Sequence, residues 1–361
     1  MPTTYVINGR FGAQRVTGVQ RVAQGLLQAL DAVCAGHPGE WRLLSPAGVS
    51  WPRLQRIRVQ VAPVPPGAGH VWEQVAVAAA ARAGARVLNI AGSGPWFGGR
   101  QVSWLHDAAI FDHADAYQPA FVRWYGALFR RRVRRGDLLI TPSEHARERL
   151  AHHLQVPPAR LHVVPHGADH LDAVAPDAGL LQRLALSPGG YWLGVASRNP
   201  NKNLARLVRA HRRAGAGLPL VLVGAADPRV FSEGTDPLPT TGVTLLEHAD
   251  DAALKALMLG ARALVVPSIV EGFGLPALEA QRLGCAVLAA RAAALPEVCG
   301  EAALYVDPLS EESIAEGLGR LARDDALVAQ LRAAGAQHAL PATWARAATM
   351  LQALLRQDAR A

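Results

Sequence analysis

The sequence predicts an α/β protein built from two doubly wound parallel-sheet domains, and three observations lead to this prediction. Short apolar runs alternate with helix-forming stretches along most of the chain, which is the pattern of a parallel sheet covered by helices. The runs fall into two sets separated by a turn-rich segment around Pro176 and Pro188. A chain of 361 residues with 50% apolar content can also fill two cores of ordinary size.

The candidate strands follow one another in two groups. Those of the first half are predicted at residues 5–8, 41–44, 59–61, 86–90, 102–105, 138–141 and 161–164. The second set begins at Tyr191 and continues at residues 220–223, 243–246, 263–266, 286–289 and 304–306. This order predicts a first domain over residues 1–172, a linker over residues 173–190 and a second domain over residues 191–341.

Composition excludes some classes of protein. No run approaches twenty uninterrupted apolar residues, and the N-terminus lacks a basic region followed by an apolar core, so neither a membrane span nor a signal peptide is expected. The three cysteines, Cys34, Cys285 and Cys299, form neither a metal-binding spacing nor an even disulfide framework. These features favour a cytosolic protein.

The segment after the predicted strand 263–266 carries the most informative motif. Gly272 and Gly274 lie in a loop, and Pro276 suits the first turn of a helix that is expected to start near Leu275 and to stop at Gly284. Glycines allow close approach of the backbone to a ligand, and the amides and dipole of a helix start favour an anion. We therefore expect a phosphate to bind Gly272, Phe273, Gly274 and Leu275.

Two glutamates flank this turn, eight positions apart. Glu279 can accept hydrogen bonds from ribose hydroxyls, and Glu271 can do the same for a hexose. A glycosidase acid and base lie about 5–10 Å apart, whereas eight helical positions span about 12 Å, so the spacing favours ligand contacts over that chemistry. Taken alone, the stretch also fits a Gly/Pro loop with two solvated glutamates.

A second loop of the same kind follows the strand that begins near Tyr191. Asn199, Asn201 and Asn203 are turn and cap residues, and Arg198 and Lys202 place positive charge where a diphosphate would need it. Lysines at helix starts are usually just solvated. This loop therefore indicates a diphosphate site only when it is considered together with the glutamate motif.

Together the two loops resemble retaining glycosyltransferases of family 4. In that family a Glu-x(7)-Glu element, here Glu271 and Glu279, follows the Arg/Lys loop by roughly seventy residues. The resemblance extends to other segments: Asn8-Gly9-Arg10, Thr17-Gly18-Val19-Gln20-Arg21 before a helix from Val22 to Leu30, Trp104-Leu105-His106-Asp107, Thr141-Pro142-Ser143 and Val164-Pro165-His166-Gly167-Ala168-Asp169. Two departures are His166, where relatives commonly carry Asn, and the single Gly18 where many carry adjacent glycines.

The resemblance implies a GT-B fold, with two Rossmann-like domains facing a cleft, the acceptor on the first and the nucleotide on the second. A C-terminal helix at residues 342–358 is then expected to pack back on the first domain. Lys202, supported by Arg198, would neutralise the leaving diphosphate, with Glu271 on the sugar, Glu279 on the ribose and Gly18 at the donor. His106 would lie near the reacting centre; the alternative is a histidine satisfied by backbone at a strand end.

The implied reaction is retaining transfer of a hexose from a nucleoside-diphosphate sugar to a hydroxyl of a glycan or lipid-linked glycan. Mannose from GDP-mannose is the first candidate, in synthesis of bacterial surface polysaccharide or lipopolysaccharide. No metal and no other cofactor is expected. A GT-B nucleotide-sugar epimerase and a non-catalytic nucleotide-sugar-binding subunit remain alternatives. An NAD-dependent oxidoreductase is disfavoured, because no Gly-x-Gly-x-x-Gly follows the first strand.

The net charge of +8 is unevenly distributed, since residues 121–135 mix aromatics with six arginines at helical length. A basic amphipathic helix between Arg123 and Arg135 can lie on an anionic bilayer, as a peripheral contact on the inner face of the cytoplasmic membrane. The alternative is a helix whose aromatic face packs on the sheet while its arginines face water. Nucleic-acid binding is disfavoured, because no recognition motif is present and the cleft carboxylates would repel a polyanion.

Overall fold

The computed structural model describes residues 4–34, 39–62, 69–195, 199–215, 217–224 and 242–359. Contacts divide the chain into two units. The first consists of Met1–Ala108, Arg123–Gly167 and Thr343–Ala361, and the second of Ala109–Val122 and Ala168–Ala342.

The first unit contains a seven-stranded sheet in the order β3-β2-β1-β4-β5-β6-β7. Its strands are β1 (Thr4–Asn8), β2 (Glu40–Ser45), β3 (Arg58–Val61), β4 (Arg86–Asn89), β5 (Val102–Trp104), β6 (Leu138–Thr141) and β7 (Leu161–Val163). All pairings are parallel; Ile7, for example, lies opposite Leu43 on one side and Leu88 on the other. The strand order therefore reverses between β1 and β4.

The second unit contains a six-stranded parallel sheet in the order β10-β9-β8-β11-β12-β13. Its strands are β8 (Trp192–Val195), β9 (Leu220–Val223), β10 (Val243–Leu246), β11 (Ala263–Val266), β12 (Val287–Ala290) and β13 (Leu304–Val306). Leu193 and Leu264 belong to one apolar cluster, whereas Trp192 and Val265 belong to another. Neighbouring residues thus fill cores on opposite faces, as strands buried on both faces require.

The α-helices follow in chain order. They are α1 (Gly18–Val33), α2 (Gly69–Trp72), α3 (Ala78–Arg82), α4 (Ala109–Asp112), α5 (Pro119–Arg135), α6 (Glu144–Leu154), α7 (Leu180–Arg183), α8 (Leu204–Ala214), α9 (Asp251–Gly260), α10 (Leu275–Arg282), α11 (Leu295–Cys299), α12 (Glu311–Arg323), α13 (Asp325–Ala339) and α14 (Trp344–Asp358). None of the described helices is both long and apolar enough to cross a bilayer.

The predicted fold class is confirmed, and each predicted strand is present with ends that differ by one residue at most. The start of α1 differs from the prediction. The family resemblance predicts a helix that starts at Val22, but the helix begins at Gly18, with Thr17 as the N-cap and Gln20 completing a capping box. The reciprocal hydrogen bonds of such a box start the helix four residues earlier.

Residues 173–190, which the sequence predicts as a linker, pack within the second unit. The Asp177 amide donates to the Ala252 carbonyl at 3.1 Å, and the Gly189 amide donates to the Gly260 carbonyl at 2.8 Å. Leu181 lies against Gly260, where a Cβ would come within 2.7 Å of Leu181 Cδ1. This segment is therefore bound to α9 along its length.

The arginine-rich helix α5 does not place all its arginines in water. Arg132 is fully buried, and its Nη1 donates to the Gly92 carbonyl at 2.9 Å. Arg135 makes two hydrogen bonds of 2.7 Å to the buried Asp137 carboxylate. The expectation that the arginines of this helix face water is therefore wrong for these two side chains.

Candidate functional site

The loop between β11 and α10 leads directly into the predicted phosphate-binding turn. Helix α10 begins at Leu275 with Pro276 in its first turn, as the sequence predicts. Its N-cap, Gly274, has φ 95°, and a Cβ there would come within 2.6 Å of Leu295 Cδ2. Glycine is thus required by both backbone conformation and packing.

Lys202 and Glu271, which the sequence assigns to one donor, form an ion pair. Lys202 Nζ lies 2.7 Å from Glu271 Oε1, and the two side chains are 26% and 10% exposed. Lys202 ends a short 3-10 segment, Pro200–Lys202, whose first turn is capped by the Asn199 side chain. A cation and a carboxylate therefore share one partly solvated site after β8 and β11.

Hydrogen bonds between the two loops explain this juxtaposition of residues 69 positions apart. The Asn203 side-chain amide donates to the Pro267 carbonyl at 3.0 Å and to the Pro308 carbonyl at 2.7 Å. The Ile269 amide donates to the Asn201 carbonyl at 2.9 Å. Asn203 itself has φ 59°, a conformation that Asn tolerates better than most residues. These asparagines thus fix the Lys202 loop against the Glu271 loop.

Glu279 lies one turn into α10 and is only 4% exposed. Its Oε1 lies 3.1 Å from His170 Nε2. The two residues that follow His170 are held in place, because Lys255 Nζ donates to the Leu171 carbonyl at 2.8 Å and Arg282 bonds the Asp172 carboxylate. No sequence pattern points to His170, since only the fold brings it to Glu279.

Phe273 and Leu275, two other predicted donor residues of this loop, are buried. They are 8% and 7% exposed, so their side chains belong to the protein interior. Gly272 precedes them in the same loop. Arg198 lies outside the described residues.

His106 and Gly18 belong to the first unit. His106 Nε2 lies 2.9 Å from the Ile90 carbonyl, which can only accept, so Nε2 carries the proton and Nδ1 carries a lone pair. Desolvation, reinforced by the charge of Arg132, lowers the pKa of His106 to about 4. The ring is therefore neutral and backbone-anchored near pH 7. Gly18 faces open space, with no atom within 4 Å of a Cβ built on it.

His166, the departure from the family pattern, is an interior residue. Its ring lies 6.2 Å from Trp104, 6.0 Å from Trp344 and 5.9 Å from His106, measured between centroids. It is 4% exposed, and burial followed by the nearby His106 lowers its pKa well below the ordinary value. An imidazole in this position joins the His106 loop to the start of α14.

Comparison with known proteins places this architecture in a class. A sucrose-phosphate synthase from Thermosynechococcus elongatus superimposes with a TM-score of 0.74 at 20% identity, covering 98% of both chains. Two Rossmann-like parallel sheets of this kind make up the GT-B fold. The profile described as Glycosyltransferase Family 4 matches residues 16–170, and the one described as Glycosyl transferases group 1 matches residues 189–338. The chain belongs to glycosyltransferase family 4.

Among curated proteins, the O-antigen chain mannosyltransferase B of Escherichia coli is 27% identical over 69% of this chain and 68% of its own length. The MMP alpha-(1->4)-mannosyltransferase of Mycolicibacterium hassiacum is 32% identical over 56% of this chain. That match spans half of the mycobacterial protein.

Proposed function

We propose that this enzyme transfers a hexose from a nucleoside-diphosphate sugar to a glycan hydroxyl, with retention at the anomeric carbon. The observation that carries the proposal is the Lys202–Glu271 pair at 2.7 Å beside the start of α10. A cation for the diphosphate, a carboxylate for the sugar hydroxyls and a helix start for the phosphates are the groups that such a donor needs.

The residues take separate roles in this proposal. Lys202 stabilises negative charge on the departing diphosphate, and Arg198 supports it. Glu271 binds sugar hydroxyls, the amides of Gly272 to Leu275 bind phosphate, and Glu279 binds the ribose. His106, neutral and acceptor-only at Nδ1, orients a hydroxyl near the reacting carbon.

In the mechanism that we favour for retention, the acceptor hydroxyl attacks the anomeric carbon on the same face from which the diphosphate leaves. The bond between the anomeric carbon and the diphosphate oxygen breaks, the acceptor oxygen bonds to the same face, and its proton passes to the departing diphosphate. Lys202 favours this course, because charge develops on the diphosphate where a fixed cation is available. The anomeric configuration of the product, read by NMR, tests it; an inverted linkage contradicts it.

Mannose from GDP-mannose is the first candidate donor, and bacterial surface polysaccharide or lipopolysaccharide is the candidate product. The names of the two relatives described above, both mannosyltransferases, support this choice. The Lys202 and Glu271 loops do not identify the nucleotide base, because backbone amides distinguish bases only weakly. They do not identify the acceptor linkage either.

A thermal-shift panel of UDP, GDP, dTDP and their sugars tests the proposed donor. A ligand at a hundred times its Kd stabilises the folded state by about 2.7 kcal/mol, so the correct nucleotide should raise the melting temperature clearly. Glu279→Ala should reduce that shift, whereas Glu301→Ala, an exposed carboxylate of the same unit, should not. No shift with any nucleotide would contradict the proposal, and a UDP or dTDP preference would replace GDP-mannose.

We also propose that the reaction requires no metal ion, because Lys202 and the start of α10 supply the positive charge that a metal would otherwise give the diphosphate. Activity should therefore survive EDTA. Complete loss that Mn²⁺ restores would contradict this.

Membrane contact through α5 is proposed for its exposed arginines alone, Arg123, Arg130 and Arg134. Each basic residue near an anionic surface contributes about 1 kcal/mol. Replacing the three by Gln should weaken sedimentation with phosphatidylglycerol vesicles. The matched control removes the same charge from Arg209, Arg212 and Arg213, which are exposed on α8. Equal loss in both variants would show that only net charge matters.

A further inference from the structure

A buried carboxylate lies at the carboxyl edge of the first sheet, outside the residues assigned to the donor. Glu73 is fully buried at the start of a π-helical turn, Glu73–Val77, between α2 and α3. Its Oε1 accepts from Asn8 Nδ2 at 2.8 Å and from Ser93 Oγ at 2.6 Å, and its Oε2 accepts from His70 Nδ1 at 3.0 Å. Arg10 Nη1 lies 3.7 Å from Oε2. Such π-turns occur frequently at functional sites.

The position of this cluster in the sheet is that of a ligand site. Asn8 ends β1 and Asn89 ends β4, the two strands between which the strand order reverses, and Asn8 Nδ2 donates to Asn89 Oδ1 at 3.1 Å. Ligands of open α/β sheets bind outside the carboxyl ends of the strands at this reversal. A charge buried there is costly unless it is paired, and Glu73 is paired from several sides.

Glu73 holds His70 in one orientation. Burial alone would raise the pKa of the Glu73 carboxyl, but hydrogen bonds from His70, Ser93 and Asn8 and the charge of Arg10 hold that pKa below its usual value. The carboxylate accepts a hydrogen bond from His70 Nδ1, so Nε2 is the ring nitrogen on the side away from Glu73. The His70 side chain is 38% exposed, in contrast to the carboxylate behind it.

Three aromatic side chains lie next to the His70 ring or next to one another. The centroids of Trp124 and Tyr125 each lie 5.9 Å from the His70 ring, and Trp96 lies 5.9 Å from Trp124 at an angle of 34°. All three aromatic residues are partly exposed. The Trp96 amide donates to Gln74 Oε1 at 2.8 Å, which fixes the Trp96 loop to the π-helical turn that follows α2 and begins at Glu73.

Aromatic faces beside one oriented polar group match the chemistry of a pyranose. A pyranose has a face of C–H groups that packs on aromatic rings and a rim of hydroxyls that needs a few placed hydrogen-bonding groups. Arg10 balances the charge of the buried Glu73, so the cluster favours a neutral sugar over an anion. The proposed donor groups Lys202, Glu271 and Glu279 all belong to the second unit.

We infer that His70, Trp124 and Trp96 form a subsite of the first unit that binds one pyranose ring of the glycan acceptor. The inference rests on the proposed function, because the subsite supplies the second substrate of that transfer. Glu73 and Ser93 are positioning residues that fix the His70 ring, and Trp124 and Trp96 provide the apolar wall.

Binding without donor tests the subsite separately from the reaction. Saturation-transfer NMR with methyl α-D-mannoside, α-D-glucoside, α-D-galactoside and α-L-rhamnoside should detect binding to the wild-type protein. His70→Ala should weaken that binding about tenfold, the scale of one lost hydrogen bond. His70→Gln, which keeps a hydrogen-bonding side chain, and Trp124→Phe, which keeps an aromatic face, should retain more affinity than His70→Ala and Trp124→Ala. Val71→Ala, at an exposed neighbour of His70, is the matched control and should bind as the wild type does.

Transfer kinetics give the second readout. His70→Ala should raise the KM for the best-bound pyranoside about tenfold, with kcat and the nucleotide-induced thermal shift unchanged. Equal pyranoside binding by wild type and both His70 variants, or no pyranoside bound by the wild type, would overturn the subsite. Failure of the proposed function appears differently, as absence of nucleotide binding and of transfer by the wild type.

Discussion

At the scale of single residues, Lys202 has the sharpest assigned role, and its environment determines how it should be tested. Lys202 and Glu271 are paired at 2.7 Å with little solvent around the carboxylate. Removing the lysine therefore removes charge stabilisation and also leaves Glu271 without its counter-ion, so a variant that keeps the charge is needed beside the deletion.

Lys202→Ala is expected to lower kcat by about 10²–10³-fold, the cost of losing one electrostatic contact to a developing charge. Nucleotide affinity should fall by much less. Lys202→Arg should recover part of the rate, and Arg209→Ala, at an exposed position of α8, should leave it unchanged. Steady-state kinetics with a titration of nucleotide binding measure both quantities. An unchanged kcat in Lys202→Ala would remove the lysine from the mechanism.

The neighbouring histidines His106 and His166 lead to a prediction about stability and pH. Both have a lowered pKa, His106 to about 4. Below pH 6.5 the unfolded chain binds protons at these histidines that the folded protein does not, so stability falls as pH falls from 6.5 towards 4. Each such group contributes at most about 1.4 kcal/mol per pH unit.

His166→Asn should therefore reduce the loss of stability between pH 7 and pH 5, as measured by urea unfolding at both values. His152→Asn, at an exposed position of α6, is the control. If His166→Asn keeps the full pH dependence of the wild type, the interior histidine is not its source.

At the scale of elements, the turn before α10 requires glycine at position 274 for two reasons, its backbone conformation and its packing. Gly274 has φ 95° and also lies against Leu295. Gly284, after the same helix, has φ 69° but no atom within 4 Å of a built Cβ. An alanine at Gly284 would therefore introduce backbone strain alone, whereas an alanine at Gly274 would introduce strain and also a clash with Leu295.

Gly274→Ala should destabilise the protein by more than Gly284→Ala, for which backbone strain of roughly 1–2 kcal/mol is expected. Because the Gly274 amide region is the proposed phosphate site, only Gly274→Ala should also weaken nucleotide binding. Urea unfolding and the nucleotide thermal shift measure the two effects. Equal nucleotide shifts in both variants would argue that the turn does not contact the donor.

Local patterns predicted the elements well, but they did not predict the polar pairings. The β11–α10 unit was predictable because an apolar run, two glycines and a proline lie within fourteen residues. Glu73 gave no such signal, since its partners Asn8 and Ser93 lie 65 and 20 positions away. The burial of Arg132 was equally unforeseen, because its acceptor is a carbonyl 40 positions away. Only the sheet topology brings these groups together.

At the scale of the whole molecule, the chain returns to its first unit at the end. Helix α14 packs on α1, where a Cβ on Gly25 would collide with the Trp344 ring, and Gln352 Nε2 donates to the Val33 carbonyl at 2.9 Å. The resemblance implied a helix at residues 342–358 here, and the structure has it at Trp344–Asp358. Trp344 also contacts His166, so α14 and the His106 loop share one interior cluster.

Trp344→Ala should destabilise the protein by about 3–5 kcal/mol, because a buried tryptophan against a glycine leaves a cavity that α1 and α14 cannot easily close. Arg346→Ala, exposed on the same helix, should cost little. The nucleotide should still bind the folded variant, since Lys202, Glu271 and Glu279 belong to the other unit. Urea unfolding with and without nucleotide measures both effects. Stability equal to that of Arg346→Ala would mean that the return of the chain to its first unit contributes little to folding.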